Sequence, residues 1–361
     1  MHWRAFRHKD EAMSAVKTTA VLTVRNEGAF LLEWLAHHRA VGISDFLVFS
    51  NDCDDGTDTM LDRLAALGWL THKRNTGPYR NGPQWAALKQ ADSHPLVTGA
   101  DWLITLDVDE FINIHVGDRT LPALLAALPM ATAIPLTWRL FGNAGIVAFA
   151  DSPVTEQFRG AAPAILHWPL RALLFKTLYR NDGCYQKLGV HRPRNPDPAR
   201  LSAQRWFDGS GLALPSLFHS KRLFSDPGRD SIRLAQMNHY ALGSVEGFIL
   251  KCARGNRTAG FRTGKSIGME YWTDYNLSNV EDSSILGLDS HAIRDALHAD
   301  PVLGQLHRQA VAWRHERLRI LLADKRWNTL FNQLVQTPPS QVLGQREAME
   351  RLREALDARN S

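Results

Sequence analysis

The stretch Trp102-Leu103-Ile104-Thr105-Leu106-Asp107-Val108-Asp109-Glu110-Phe111 is the most informative part of the chain, because an apolar run ends abruptly in acidic residues. This pattern predicts a buried strand followed by a turn. Asp107 and Asp109 stand two positions apart, so near the end of a strand their side chains point to the same side. Such carboxylates resist ionisation together unless a cation neutralises them, and hard divalent cations prefer oxygen ligands and phosphates. We therefore predict a metal ion that binds a diphosphate; the alternative is a strand end whose two acids face solvent.

The residues around this stretch alternate between strand-like and helix-like patterns. Strands are predicted over 19–24, 46–49, 70–73, 102–106 and 132–138, and helices over 29–41, 59–67, 84–92, 292–322 and 345–358. This alternation is typical of an α/β fold with a mostly parallel sheet, in which ligands bind beyond the carboxyl ends of the strands. Polar breaks follow three of the strands, at 25–27, 52–57 and 107–110. We expect these breaks to form one site.

Composition and charge are those of a globular protein without a transmembrane segment. The 361 residues are 44% hydrophobic and 22% charged, and no apolar run approaches the roughly 20 residues that cross a bilayer. The basic, aromatic segment 1–9 lacks the apolar core of a signal peptide. Three widely spaced cysteines, Cys53, Cys184 and Cys252, give no zinc pattern and indicate a reducing compartment. These features predict a cytoplasmic protein. The net charge of +5 is spread along the chain without a basic cluster, so no nucleic-acid partner is expected.

Five further sequence elements stand in order between about Thr18 and Gly255. They are Arg25-Asn26-Glu27 with Phe30, Glu33 and Trp34; the loop 50–58; Asp107-Val108-Asp109-Glu110-Phe111; residues 138–145; and Asn238-His239-Tyr240 followed by Ser244, Phe248, Lys251 and Arg254-Gly255. Together they resemble the nucleotide-sugar glycosyltransferases of the GT-A fold, in the family 2-like branch related to family 92. The resemblance implies a Rossmann-like GT-A domain with a mostly parallel sheet over residues 16–250 and a helical C-terminal extension over residues 251–361.

The resemblance also implies a reaction and its participants. A hexosyltransferase of this kind moves a sugar from a UDP- or GDP-sugar to a saccharide or lipid-linked acceptor, with Mn²⁺ or Mg²⁺ and with inversion. Surface polysaccharide or lipopolysaccharide synthesis is the expected setting. Apolar residues at helical spacing near the C-terminus, Val342, Leu343, Met349, Leu352 and Leu356, would pack on the domain or a partner helix, or dock on the inner face of a membrane.

Individual site residues follow from the same resemblance. Contacts to the donor nucleotide are expected from Arg25, Asn26, Glu27, Asp55 and Gln84. Asp109 would bind the metal directly, and Asp107 would act through the metal, a water molecule or the ribose. His239 would complete the metal shell or pack beside Tyr240. Lys251 and Arg254 would contact phosphate or lie on a solvated helix face. For Asp55 the alternative is a plain turn, and for Glu27 it is a favourable charge at a helix N-terminus.

Inverting transfer also needs a general base that takes the proton of the acceptor hydroxyl. Glu156 is the candidate, with Asp182 and His191 behind it; the alternative for Glu156 is an ion pair with an arginine such as Arg159. Trp138 would stack on a sugar or belong to the core.

Two other classes of protein fit parts of this pattern. A nucleotidyltransferase on a similar fold also uses paired carboxylates and a metal, but it normally carries a glycine-rich phosphate loop after the first strand, where this chain has Arg25-Asn26-Glu27-Gly28. A non-catalytic module that binds nucleotide sugar or glycan could have nearly the same sequence.

Overall fold

The computed structural model describes residues 16–254 and 267–360, with the side chains of 352 and 355–360 left out. The N-terminal segment 1–9, Gly255 and the side chains of Leu352 and Leu356 therefore lie outside the described residues. Of the other residues in the predicted C-terminal stripe, Val342 packs against the main core, whereas Met349 is 49% exposed.

A mixed sheet forms the centre of the described fold. The strands are β1 (Thr18–Val24), β2 (Asp45–Ser50), β3 (Thr71–Arg74), β4 (Trp102–Leu106), β5 (Glu110–Ile114), β6 (Ala133–Leu140), β7 (Gly160–Ala161), β8 (Phe175–Arg180), β9 (Tyr185–Lys187), β10 (Arg194–Pro196), β11 (Ala235–His239) and β12 (Val280–Glu281). Eight of them form one sheet in the order β3-β2-β1-β4-β8-β6-β11-β5. Six of these eight run in one direction, and β8 and β5 run against them. The predicted α/β class with a mostly parallel sheet is confirmed.

Helices cover this sheet and continue beyond it. They are α1 (Leu31–Val41), α2 (Thr57–Ala66), α3 (Pro83–Ala91), α4 (Pro95–Thr98), α5 (Leu121–Ala127), α6 (Val154–Gln157), α7 (Pro198–Leu201), α8 (Leu217–Ser220), α9 (Val245–Arg254), α10 (Met269–Tyr275), α11 (His291–Ala299), α12 (Pro301–Leu322), α13 (Lys325–Gln336) and α14 (Gln345–Asn360). None of these helices in the described chain is long and apolar enough to span a bilayer.

The central strands are largely buried and mostly apolar because both faces of the sheet are covered. Successive residues of β1 point to opposite faces: Ala20 and Leu22 belong to one apolar core, and Val21 belongs to a second. The first core contains residues of α1 and α2, and the second contains residues of α3. This packing holds the carboxyl ends of β1, β2 and β4 side by side.

The predicted helix over residues 292–322 is wrong as one element. The chain breaks at Asp300, between α11 and α12, because Pro301 has no N–H to continue a helix. The carboxylate of Asp300 accepts hydrogen bonds from the N–H groups of Val302 (3.1 Å) and Leu303 (2.9 Å), as an N-cap does. Asp300 also pairs with Arg63 of α2 at 2.6 Å, which fastens the start of α12 to the sheet domain.

The residues assigned to the C-terminal extension pack against the sheet domain. The predicted boundary between residues 250 and 251 lies inside α9, a helix over Val245–Arg254. Helix α11 packs against α1, and α12 packs against both α2 and α9. The extension therefore contributes to the surroundings of the strand ends.

Candidate functional site

Asp107, Val108 and Asp109 form the turn between β4 and β5. The indole N–H of Trp34 on α1 donates to the carbonyl oxygens of Asp107 (3.2 Å) and Glu110 (3.0 Å), which fixes the backbone of this turn. The side chains of Asp107 and Asp109 remain 35% and 28% exposed. The turn thus presents both carboxylates at the edge of the sheet, as the sequence predicted.

The carboxylate of Asp107 is held by two protein donors. Its Oδ1 accepts from Nε2 of Gln84 (2.9 Å), and its Oδ2 accepts from Nζ of Lys176 (2.8 Å). Lys176 is completely buried and also lies 3.3 Å from Glu110. Burial by itself lowers the pKa of Lys176, but the two carboxylates outweigh it and raise that pKa above its ordinary value. Asp107 is therefore anchored to a buried ammonium group.

Glu110 lies beneath this pair and is completely buried. It accepts hydrogen bonds from the indole N–H of Trp138 (2.8 Å) and from the backbone N–H of Asp107 (2.9 Å). Burial raises the pKa of Glu110 to about 8, against the opposing charge of Lys176. The third acid of the motif thus supports the turn from below rather than facing a ligand.

The carboxylate of Asp109 lies between a lysine and a histidine. Lys251 of α9 donates from Nζ to Oδ2 of Asp109 (3.0 Å) and to the carbonyl oxygen of Ala241 (2.6 Å). Nε2 of His239 lies 3.7 Å from the other oxygen, Oδ1. Burial opposes ionisation of Asp109, but Lys251 and His239 hold its pKa well below the ordinary value. Burial lowers the pKa of His239, so at neutral pH this site pairs a carboxylate with a neutral imidazole.

Asp109 and His239 fit a divalent cation with two protein ligands. Ligands at about 2.1 Å from one cation lie about 3 to 4 Å apart, and Oδ1 and Nε2 are separated by 3.7 Å. Within residues 16–254 and 267–360 no group of three or more His, Cys, Asp and Glu side chains is arranged to hold a metal. A cation here would therefore take its remaining ligands from water and substrate. The ring of His239 packs 4.1 Å from that of Trp138 and 5.9 Å from that of Tyr275 rather than against Tyr240, and its role in a metal shell stays a prediction.

The end of β1 and the loop after β2 are tied together by side chains. Asn26, with φ of +56°, accepts from the N–H of Asp54 (2.7 Å), and Arg25 Nε donates to the carbonyl oxygen of Asp52 (3.1 Å). Asp55 is only 4% exposed and accepts from the N–H groups of Gly28 (3.0 Å) and Thr57 (2.9 Å). Asp55 therefore stabilises the turn, and its contact with a nucleotide stays a prediction.

One cavity of about 180 Å³ joins these elements. Six of the predicted site residues line it, namely Arg25, Asn26, Glu27, Asp109, Lys251 and Arg254. Nη1 of Arg254 donates to the carbonyl oxygen of Arg25 (2.7 Å) and pairs with the carboxylate of Glu27. Asp54 and four residues of α12 also line the cavity, whereas the predicted site residues Asp55, Gln84, Asp107, Glu156 and His239 are not among its lining residues.

The three candidates for the general base occupy different surroundings. The carboxylate of Glu156 pairs with Arg294 of α11 (2.9 Å), and Asp182 accepts from the backbone N–H of Cys184 (2.9 Å) within a turn. His191 alone lies beside the acidic cluster, with its ring 5.4 Å from that of Trp138. Its Nδ1 is 3.0 Å from the carbonyl oxygen of Phe175, so Nδ1 carries the proton and Nε2 is the acceptor. Burial lowers the pKa of His191 to about 4.

Three cations of the site were missed by the sequence interpretation, namely Lys176, Arg314 and Arg317. Lys176 lies in the apolar strand Phe-Lys-Thr-Leu-Tyr-Arg (β8), where a single lysine between buried residues was the available signal. Arg314 lies on α12 and lines the cavity. The helical pattern of the surrounding sequence gave no sign that this arginine is buried. Trp138 is 8% exposed and donates a hydrogen bond to Glu110. It therefore belongs to the core and does not present an open face for stacking on a sugar.

Comparisons with known proteins agree with the resemblance predicted from the sequence. The sequence profile of Glycosyltransferase family 92 matches residues 21–159. A family 92 glycosyltransferase protein of Oryza sativa subsp. japonica is 25% identical over 172 residues, which cover 45% of this chain and 26% of the relative. A family 92 protein of Ricinus communis is 26% identical over 98 residues, which cover 26% of this chain and 16% of that protein. The predicted resemblance to family 92 enzymes is confirmed, and the chain matches about a quarter or less of the length of these relatives.

Solved structures give weaker matches. S. aureus TarS 1-349 in complex with UDP is 13% identical, with a TM-score of 0.30, over 83% of this chain and 89% of that one. Glucosyl-3-phosphoglycerate synthase from Mycobacterium tuberculosis, in complex with Mn²⁺, UDP and glucosyl-3-phosphoglycerate, is 16% identical with a TM-score of 0.27, over 47% of this chain and 58% of that one.

Proposed function

We propose that this chain is a metal-dependent glycosyltransferase that transfers a sugar from a nucleoside diphosphate sugar to a hydroxyl group of its acceptor. The supporting observation is that Arg25, Glu27, Asp109 and Lys251 line one cavity and that Nε2 of His239 lies 3.7 Å from Asp109. A carboxylate and a neutral imidazole can hold a cation there, and the neighbouring cations can bind phosphate. The family 92 match over residues 21–159 covers the β1, β2 and β4 ends of this site.

The donor would lie across the ends of β1 and β4. Asp109 and His239 would hold Mn²⁺ or Mg²⁺, and such a cation supplies charge neutralisation for the departing diphosphate. Lys251 and Arg254 face the same cavity and would bind phosphate oxygens. Arg25, Asn26 and Glu27 would contact the nucleoside part of the donor. In the predicted reaction the donor is a UDP- or GDP-sugar. Gln84 would act indirectly, because it positions Asp107.

The acceptor would approach from the side of His191. Attack with inversion requires that the acceptor hydroxyl lose its proton as the new bond forms. Nε2 of His191 is the acceptor nitrogen of a neutral ring at physiological pH, because its pKa is lowered to about 4 and Nδ1 is held by Phe175. Glu156 is a poorer choice, because its carboxylate is already paired with Arg294. A saccharide or lipid-linked acceptor of surface polysaccharide synthesis is the substrate class we infer, selected by the loops of residues 140–235.

Two experiments test this function. Thermal unfolding with UDP, GDP or CDP, each with Mn²⁺ or with EDTA, should show stabilisation by one nucleotide that needs the metal. The isosteric variant Asp109→Asn should lose that stabilisation, whereas Glu316→Gln, which changes an exposed acid on α12, should keep it. The absence of any nucleotide-dependent shift, or a shift indifferent to Asp109, would contradict the proposal.

Product analysis then separates the alternatives. Incubation of the matching nucleotide sugar with a panel of saccharide acceptors should release nucleoside diphosphate. Release of pyrophosphate from a nucleoside triphosphate and a sugar phosphate would indicate a nucleotidyltransferase instead. Tight binding without turnover across the panel would indicate a binding module.

A further inference from the structure

Helix α12 lies directly against the turn that follows β1. A Cβ placed on Gly28 would stand 2.8 Å from Cβ of Ala310 in α12, closer than carbon atoms approach without displacement. Trp313 and Arg314 lie three and four residues further along the helix, and both line the cavity together with Arg317. The cavity wall opposite Asp109 therefore comes partly from a helix that was assigned to the C-terminal extension.

Arg314 is a buried cation that has no carboxylate partner among residues 16–254 and 267–360. It is 6% exposed, and no acidic side chain of the described residues lies within ion-pair distance of it. Its Nε is buried and makes no hydrogen bond within that part of the chain. The guanidinium lies 4.6 Å from the ring centre of Phe30 and 4.9 Å from that of Phe149. Cation–π contacts compensate only part of the cost of removing a charge from water.

Two of the other four cavity cations form ion pairs, whereas Arg25 and Arg317 make none with the described residues. Lys251 is bonded to Asp109 and Arg254 to Glu27, whereas Arg314 has no such carboxylate among the described residues. Five cationic and three acidic side chains line the cavity, which leaves a formal charge of +2. Burial lowers the pKa of Arg314 to about 10, so the side chain is still charged at neutral pH. A buried charge with an adjoining cavity is suited to an anion that enters with its own negative charge.

We propose that Arg314 is an anion-binding residue that takes a phosphate oxygen of a nucleoside diphosphate, so that α12 forms part of the donor site. The identification of the bound ligand as a nucleotide rests on the proposed function. The proposal that an anion binds rests separately on the burial of Arg314, on the absence of a carboxylate partner for it among the described residues, and on the positive charge of the cavity.

Isothermal titration calorimetry on the full chain tests this inference with three probes: inorganic pyrophosphate, UDP and GDP, and the corresponding nucleosides. Arg314→Met removes the charge but keeps most of the apolar stem. Because hydrogen bonds to charged groups contribute about 1.5–3 kcal/mol, this variant should weaken pyrophosphate and nucleoside diphosphate binding by roughly 10- to 100-fold. Nucleoside binding should not change. Arg314→Lys should show a smaller loss, because the charge is kept.

Arg319→Met is the matched control. Arg319 lies on the same helix, is 72% exposed and pairs with Glu316, so its loss should leave all affinities unchanged. A purely structural role of Arg314 predicts a lower unfolding temperature of the ligand-free Arg314→Met protein. An anion-binding role predicts an unchanged or higher unfolding temperature without ligand, together with a reduced ligand-induced shift.

The outcomes separate this inference from the proposed function. Equal affinity of the wild type and Arg314→Met for pyrophosphate and nucleotide would overturn the role of Arg314 and leave the proposed function intact. Binding of pyrophosphate through Arg314 with no affinity for UDP or GDP would support the anion site and contradict a UDP- or GDP-sugar donor. A wild-type protein that binds none of the probes would overturn both.

Discussion

Gly28→Ala should separate α12 from the turn after β1 and thereby destabilise the protein. The added Cβ would stand 2.8 Å from Cβ of Ala310, 3.3 Å from Oδ2 of Asp55 and 3.4 Å from Oγ1 of Thr57. Carbon atoms prefer about 3.5–4.0 Å, so the gap is too short by about 0.7 Å or more. Neither side can retreat easily, because the N–H of Gly28 is bonded to Asp55 (3.0 Å) and α12 is fastened by the pair Arg63–Asp300.

Overpacking of this kind costs typically about 1–3 kcal/mol, which urea denaturation measures as a lower midpoint. Ala310→Gly restores the space but introduces a helix glycine at a cost of about 1 kcal/mol. The double variant should therefore be less destabilised than the two single variants together, with a coupling of about 1 kcal/mol or more. Additive effects within a few tenths of a kcal/mol would refute the close approach of Gly28 and Ala310. Weaker nucleotide binding by Gly28→Ala, recovered in the double variant, would connect this contact to the site.

Three further outcomes follow from the buried charges. Lys176→Met should reduce the free energy of unfolding, measured by urea denaturation, by about 3–5 kcal/mol, because Asp107 and Glu110 lose their buried partner. Adding Glu110→Gln to the Lys176→Met protein should recover part of this loss. Asp109 has a depressed pKa in the folded protein, so its contribution to stability is present above the ordinary value of 3.8 and is lost as pH falls below it. The stability difference between the wild type and Asp109→Asn should therefore shrink on acidification from pH 5 towards the acid limit, and a difference independent of pH would contradict the ion pair. In transfer assays His191→Asn should lower kcat by about 10²- to 10⁴-fold with KM retained, whereas Glu156→Gln should stay within about twofold of the wild type; the reverse order would restore Glu156 as the base.

The parts of the fold that local patterns determine were predictable from the sequence. The run before Asp107 is buried throughout and apolar except for Thr105 because both faces of β4 are covered, and this is why it stood out as a strand. The break at Asp300 was also visible in principle, since an aspartate followed by proline is a helix start signal, but the apolar periodicity on both sides concealed it.

Contacts between distant parts of the chain were not predictable in this way. Glu156 was chosen from its place in the order of motifs, and its partner Arg294 is 138 residues away. Lys176 reaches Asp107 only because β8 runs antiparallel between β4 and β6, a pairing that no local pattern determines. A charged residue in a short strand is more often exposed, so the single lysine of β8 gave only a weak local signal of its burial.

The position of Lys251 connects metal and phosphate binding in the proposed reaction. Lys251 and Arg254 lie on one face of α9, three residues apart, and neutralise Asp109 and Glu27 in the ligand-free protein. If Asp109 and His239 held a divalent cation, the Asp109 carboxylate would no longer need Lys251 as its counterion, and the Lys251 ammonium could bind a phosphate oxygen of the donor. The bound cation would supply further positive charge for that phosphate. Each ligand would thus remove part of the cost of binding the other, and this coupling must be equal in both directions. The ion pair between Lys251 and Asp109 is therefore compatible with a metal site, because Lys251 keeps the carboxylate ionised and ordered until cation and donor bind.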